Sequence, residues 1–134
     1  MELQVGVKII LQNKEGKFLF LQRNLEKYSD IKQNDSLDIV GGRIQVGMSL
    51  LENLKREVFE ETELNLIEIP KLIYAQDILR GDKHVVRLTY MAQIEGEPVL
   101  DEEHIAYKWL TAEEVKKEEN LDQYAREVFN KLNF

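Results

Sequence analysis

Cysteine is absent from the 134-residue sequence, which excludes disulfides, thiolate zinc sites, iron–sulfur clusters and a cysteine nucleophile. Histidine occurs only at His84 and His104. Metal chemistry must then rest mainly on oxygen ligands, which favours magnesium, manganese or calcium over zinc. Proline occurs only at Pro70 and Pro98, and no Pro-, Gly- or Ser-rich linker, internal repeat or low-complexity tract divides the chain. No apolar run approaches the roughly 20 residues that span a bilayer. Met1-Glu2-Leu3-Gln4 opens with an acid, and no small-residue cleavage site follows an apolar stretch. A cytoplasmic protein with no leader and no membrane partner is therefore expected. Cations are the scarcer charge, 18 Lys and Arg against 25 Asp and Glu, for a net charge of −7. Such a chain is poorly suited to gripping a nucleic-acid polymer, which calls for clustered Lys and Arg.

What is present describes one ordinary globular domain, residues 1–134. Apolar residues are 43% and charged residues 32% of the chain, enough of both for a core and a wet surface. Leu3–Leu11 reads as a strand, Asn13-Lys14-Glu15-Gly16 as a turn and Lys17–Arg23 as a second strand, joined most simply as a hairpin. Asn24–Ser36 is polar and reads as a loop long enough to be functional. Leu37–Val40 is a short strand ending at a Gly41-Gly42 turn. Ser49 with Glu52 fits a capping box, and Leu51, Leu54 and Val58 give the helix that follows one apolar stripe, ending near residues 62–64. Lys71–Leu79 and Val85–Ile94 are strands around an Arg80-Gly81-Asp82 turn, and His104–Leu110 is another. Thr111 with Glu114 fits a second capping box, and Leu121–Leu132 is a closing helix. Strands, a central helix, more strands and C-terminal helices suggest an α/β or α+β sandwich with helices on both faces of a sheet.

The stretch from Gly41 to Leu64 carries the chemistry. Glu57, Glu60 and Glu61 stand at i, i+3 and i+4, which puts three carboxylates on one side of a helix. Their mutual repulsion needs an offset, and a divalent cation supplies one directly. Arg56, four residues before Glu60, can hold the cluster in place. Gly41-Gly42 has no Cβ, so its backbone carbonyls can approach a metal or ligand closely. Taken alone, glutamates with Lys and Arg neighbours are most often a solvated helix face.

Glycine pair and acids together, at this offset, resemble the signature of the Nudix hydrolases. Gly42 opens that pattern and Arg56-Glu57-Val58-Phe59-Glu60-Glu61 fills its core Arg-Glu-aliphatic-x-Glu-Glu, with Leu64 at the closing aliphatic position. Two positions depart. Met48 stands where the family has a glutamate that pairs with the box arginine, leaving Arg56 to find Glu52 or Glu60. Glu63 stands where the family has glycine, so a left-handed cap there costs about 1 kcal/mol more.

The resemblance implies a Nudix-type α/β/α sandwich with a mixed β-sheet, the box spanning residues 42–64. It implies Mg²⁺- or Mn²⁺-dependent hydrolysis of the pyrophosphate bridge in a nucleoside diphosphate derivative. Glu57, Glu60, Glu61 and the carbonyl of Gly41 are then the metal ligands, with Glu57 alternatively orienting or deprotonating the attacking water. Glu103, or failing that Glu102, resembles the extra carboxylate that relatives add from a later strand or loop; the plain alternative is a polar turn. Arg23 resembles an arginine that contacts substrate phosphate, and Asp38 and Gly42 fall on the substrate side. Tyr28, Tyr74, Tyr90 and Tyr107 are candidates for stacking a base, although strand aromatics are more often core. His84 and His104 read as structural.

Subfamily markers narrow the substrate. The proline of ADP-ribose hydrolases would fall near Leu79-Arg80, the tyrosine of dinucleoside polyphosphate hydrolases lies elsewhere than Tyr74, and isopentenyl diphosphate isomerases need the missing cysteine. A nucleoside or deoxynucleoside triphosphate, split to monophosphate and pyrophosphate, or a nucleotide sugar is the expected small-molecule partner. A homodimer is compatible with the resemblance. The competing reading is a weakened domain that binds nucleotide as a sensor or interaction module.

Overall fold

The computed structural model describes residues 1–27 and 31–134. The expected Tyr28 stacking position lies outside the described residues. The order is β1 (Glu2–Gln12), β2 (Phe18–Arg23), a 3-10 turn (Gln33–Asp35), β3 (Leu37–Asp38), β4 (Val40–Arg43), α1 (Leu50–Thr62), β5 (Lys71–Arg80), β6 (Lys83–Gln93), β7 (His104–Leu110), α2 (Ala112–Lys117) and α3 (Gln123–Leu132).

β1 is central: Val7, Ile9 and Leu11 on one face and Ile10 on the other are fully buried, with Lys8 buried among them, as in a strand covered on both sides. It runs parallel to β6 along its whole length, Glu2 opposite Lys83 through Gln12 opposite Gln93. On its other edge Gly6–Ile9 pairs antiparallel with β4. The expected β1–β2 hairpin is therefore reduced to one register pair, Gln12 opposite Phe18. β4 occupies the edge that β2 would have taken, and β2 pairs instead with β7 and β3. The sheet is mixed, with β5 at an edge beside β6.

Alternation along the strands sorts the core into two layers. Val7, Ile9, Leu11, Leu19 and Leu21 meet Leu54 and Val58 of α1. Ile10, Phe18, Phe20, Leu37 and Ile39 meet Val115, Ala125, Val128 and Phe129 of α2 and α3. Each such side chain contributes roughly 1.5–3 kcal/mol by leaving water, and truncating Phe129, which also packs edge-on to Phe18 at 5.3 Å, would open the second layer. Helices on both faces make this the α/β/α sandwich expected from the resemblance.

Three local expectations need correction. Gly41-Gly42 is not a turn but lies within β4, paired with Lys8 and Val7. Gly41 has φ +142°, and a Cβ there would sit 2.1 Å from the Val7 carbonyl, so the tight strand crossing demands glycine. The last helix begins at Gln123 rather than Leu121. Leu121 bridges to Leu37, and Asp122 caps α3 by accepting from the backbone N–H groups of Tyr124 and Ala125. At α1 the Ser49 hydroxyl accepts from the Glu52 N–H at 3.1 Å; the reciprocal arrangement of a full box is made at Thr111 and Glu114.

Candidate active site

α1 has two inward stripes in one. Its buried positions are Asn53, Leu54, Glu57, Val58, Glu61 and Thr62. Leu54 and Val58 enter the core; Asn53, Glu57 and Glu61 lie on the same side, toward β4. The plain reading of a solvated acidic face thus fails for Glu57 and Glu61, which are 8% and 6% exposed, and holds only for Glu60, which stays in solvent.

These acids form one wall of a cleft of about 910 Å³. It opens where β1 and β2 part, and its lining brings together Arg23, Asp38, Gly41, Gly42, Glu57, Glu60, Glu61 and Glu103. Arg56 stands behind this wall. Its guanidinium donates to Glu57 Oε1 at 2.8 Å, Glu60 Oε2 at 3.3 Å, Asn53 Oδ1 at 2.9 Å and the Arg43 carbonyl at 3.4 Å. Sequence reasoning offered Glu52 or Glu60 as its partner; Glu57 and Asn53 hold it more closely. Asn53 was missed altogether. It is fully buried, donates to the Met48 and Ser49 carbonyls at 2.9 and 2.8 Å and accepts from Gln45 N–H at 2.8 Å. Asn53 thereby ties down the loop that carries Met48. The signal was available in its spacing, four residues before Glu57 and eight before Glu61 on one helix face.

Gly42 lies flat under the acids. A Cβ on it would come within 3.0 Å of both Glu57 carboxylate oxygens. Gly41 N–H donates to Glu61 Oε1 at 3.5 Å. Burial pushes the Glu61 carboxyl well above the usual range, and the neighbouring Glu57 adds to this while Lys8 opposes it. Glu61 is thus held out of water beside Glu57, whose carboxylate Arg56 pairs from the far side at 2.8 Å.

The opposite wall is an ion network. Lys8 Nζ donates to Asp38 Oδ2 at 2.9 Å, to the Ile39 carbonyl at 3.3 Å and to the Gly41 carbonyl at 3.5 Å. Arg23 also pairs with Asp38, donates to the Asp35 carbonyl at 3.1 Å and reaches Asp122 Oδ2 at 3.5 Å. Arg87 approaches Asp122 Oδ1 at 3.9 Å. Burial pushes the Asp38 carboxyl up, but Lys8, Arg23 and Arg87 outweigh it and hold it well below the usual carboxylate range. Burial and the adjacent Asp38 charge push Asp122 the other way, against the same cations. Lys8 was legible as a lysine inside an apolar strand; Arg87 and Asp122 had no local signal, since only folding brings β6 and α3 together.

Glu103 lies on the exposed rim, its carbonyl accepting from Asn24 N–H at 2.8 Å, and Glu102 pairs with Lys27 at 3.2 Å. Among the described residues no three Asp, Glu or His side chains stand close enough to form a ready-made metal site. Tyr74, Tyr90 and Tyr107 pack on the two core layers, and none is in the cleft lining. His84 meets Asp77 at 2.7 Å and His104 meets Asp101 at 2.7 Å. Among the described residues no helix is long and apolar enough to cross a membrane.

Comparison with known proteins adds an independent line. A family model described as the NUDIX domain matches residues 2–132. The fold is similar to that of a MutT protein from Methanosarcina mazei Go1, at 26% identity, with 98% of this chain and 94% of that one covered and a TM-score of 0.84. It is similar also to a MutT NUDIX hydrolase from Burkholderia pseudomallei at 20% identity, 97% and 98% coverage and a TM-score of 0.78. The ORF135 protein of E. coli is similar at 19% identity, 99% and 92% coverage and a TM-score of 0.76. No curated protein matches the chain closely enough to count as a relative.

Proposed function

The chain belongs to the NUDIX family, and on that premise we propose that this hydrolase of phosphoric anhydrides splits the pyrophosphate bridge of a nucleotide with the help of Mg²⁺ or Mn²⁺. The favoured substrate is a nucleoside or deoxynucleoside triphosphate, giving monophosphate and pyrophosphate; a nucleotide sugar is the other substrate of the same chemistry. The observation that carries the reading is the buried Glu57–Glu61 pair laid against Gly41-Gly42.

That pair suits a hard divalent cation. All its donors are oxygens, and Mg²⁺ asks the protein for only one or two carboxylates, taking the rest of its ligands from water and phosphate. Glu57 and Glu61 would hold the ion, with Glu60 and the Gly41 carbonyl at the margin and Glu103 on the opposite rim. When bound, the ion supplies charge neutralisation at the phosphoryl oxygens and a lowered pKa for water.

The chain's own residues do the positioning. Arg56 fixes the Glu57 carboxylate from behind the cleft wall, so that Glu57 is oriented before substrate arrives. Gly42, with no side chain, makes room for the Glu57 carboxylate on the substrate side of the cleft. Arg23 and Lys8 place positive charge along the cleft, where an anhydride carries its negative charge, and phosphoryl transfer depends mainly on such positioning. As an alternative to holding the ion, Glu57 would orient or deprotonate the attacking water. Arg56 is anchored despite Met48, which supports turnover over binding without hydrolysis.

The test is phosphate release, with inorganic pyrophosphatase added for triphosphates and phosphatase for monoester products, across triphosphates, nucleotide sugars, ADP-ribose and dinucleoside polyphosphates, with Mg²⁺, Mn²⁺ or EDTA. Turnover that needs the metal and vanishes in Glu60→Gln or Glu61→Gln is expected. A chain that binds nucleotide by thermal shift yet releases nothing from any of them would overturn the proposal.

A further inference from the structure

Arg87 is placed unlike the other cations of the cleft. Lys8 and Arg23 each make a close ion pair with Asp38, a buried carboxylate. Arg87 has Asp122 at 3.9 Å, beyond hydrogen-bond length, and that Asp122 oxygen already accepts from Tyr124 and Ala125 N–H at 2.9 and 3.1 Å. The guanidinium is otherwise steadied by the face of Tyr124, 5.5 Å from its ring centre. A guanidinium carries five N–H donors in a fixed fork, and those of Arg87 are held at a cleft wall with little to spend them on.

The floor beside it is open. Arg87 pairs in parallel register with Gly6, which also lines the cleft. A Cβ at Gly6 would meet only the Gly42 carbonyl at 3.6 Å and Val85 at 4.0 Å, both ordinary contacts, and its φ is not in the left-handed region. The backbone does not require glycine there; the missing side chain leaves room directly beside the fork.

We infer that Arg87, over the Gly6 floor, is a specificity-determining residue that binds a pair of neighbouring acceptor atoms in the part of the substrate beyond the cleaved anhydride. A planar fork reads such a pair bidentately, whether it belongs to a further phosphoryl group or to the acceptor edge of a base. This rests on the proposal that the cleft binds a nucleotide, but not on its being hydrolysed.

The experiment compares wild type with Arg87→Ala, Arg87→Lys and Gly6→Val, measuring KM, kcat and, by calorimetry, Kd for dGTP, 7-deaza-dGTP and dGDP. Arg87→Ala is expected to raise KM and Kd for the preferred nucleotide about ten- to a hundred-fold, the loss of a charge-assisted contact, with kcat changed by less than about threefold. Arg87→Lys stays impaired, because a point charge lacks the fork. Gly6→Val raises KM for the same nucleotides and carries the test should Arg87→Ala fail to fold. If the acceptor pair is a base edge, wild type prefers dGTP over 7-deaza-dGTP and the variants lose that preference; if it is a phosphoryl group, the lost preference is for dGTP over dGDP. Unchanged KM and Kd in the variants, full rescue by lysine, or a fall in kcat alone would overturn the inference. If wild type binds but never hydrolyses, and Arg87→Ala weakens binding, the hydrolase reading falls while this inference stands.

Discussion

Replacing Glu61 by glutamine should change the stability of the protein in opposite directions with and without metal. Glutamine keeps the shape and the oxygen that accepts from Gly41 N–H at 3.5 Å but removes a charge that is buried beside Glu57. Burial and Glu57 raise the Glu61 carboxyl above its ordinary value of 4.5. The folded chain therefore binds more protons than the unfolded chain between the two values, and folding free energy is lost as pH rises through that window. Glutamine carries no such cost, so in EDTA the stability of Glu61→Gln relative to wild type should rise with pH above the ordinary carboxylate range, by of the order of 1–3 kcal/mol, about 3–10 °C in Tm for a domain this size. Near pH 3.5, where Glu61 is protonated in both states, that gain should vanish.

Adding Mg²⁺ at about a hundred times its Kd should stabilise the wild type by roughly 2.7 kcal/mol and the variant by much less, closing or reversing the gap, while turnover is lost. Guanidinium unfolding followed by the single Trp109, which donates to Glu97 at 2.9 Å, reads all four conditions. A variant whose stability relative to wild type in EDTA does not rise with pH would refute the reasoning, because the buried Glu61 charge would then carry no cost.

Glu63 ends α1 at φ +55° while exposed, so Glu63→Gly should stabilise the protein by about 1 kcal/mol in chemical denaturation, with turnover unchanged. Asn53→Ala removes four hydrogen bonds from a buried side chain and should cost about 2–4 kcal/mol; calorimetric melting reads this, and kcat should fall more than KM rises because Arg56 loses an anchor. Gly41→Ala meets the Val7 carbonyl and a φ closed to L-residues, so it should express poorly or melt far below wild type; a fold of native stability would show that β4 can shift away from β1. Lys8→Met leaves Asp38 buried with one cation fewer and should destabilise by about 3–5 kcal/mol, read in the same melts.

The sequence by itself determined the elements and the kind of chemistry. Hydrophobic spacing located α1 and the strands other than β4, because period is a local property of the chain, and the cap residues Ser49 and Thr111 marked helix starts. The box from Gly42 to Leu64 named the family before any coordinate, since its acids and glycine act within one strand–loop–helix unit. Tertiary structure alone decided what local pattern cannot carry. It turned the Gly41-Gly42 pair from a turn into a strand, because Val7 and Lys8 press on it. It parted β1 from β2, because β4 competes for the same edge. It buried Glu57 and Glu61 and left Glu60 in water, a distinction set by the helix's rotation on the sheet. It put Arg87 of β6 beside Asp122 and Tyr124 of α3, far apart in the chain, since long-range charges meet only when packing has fixed where the strands and helices lie.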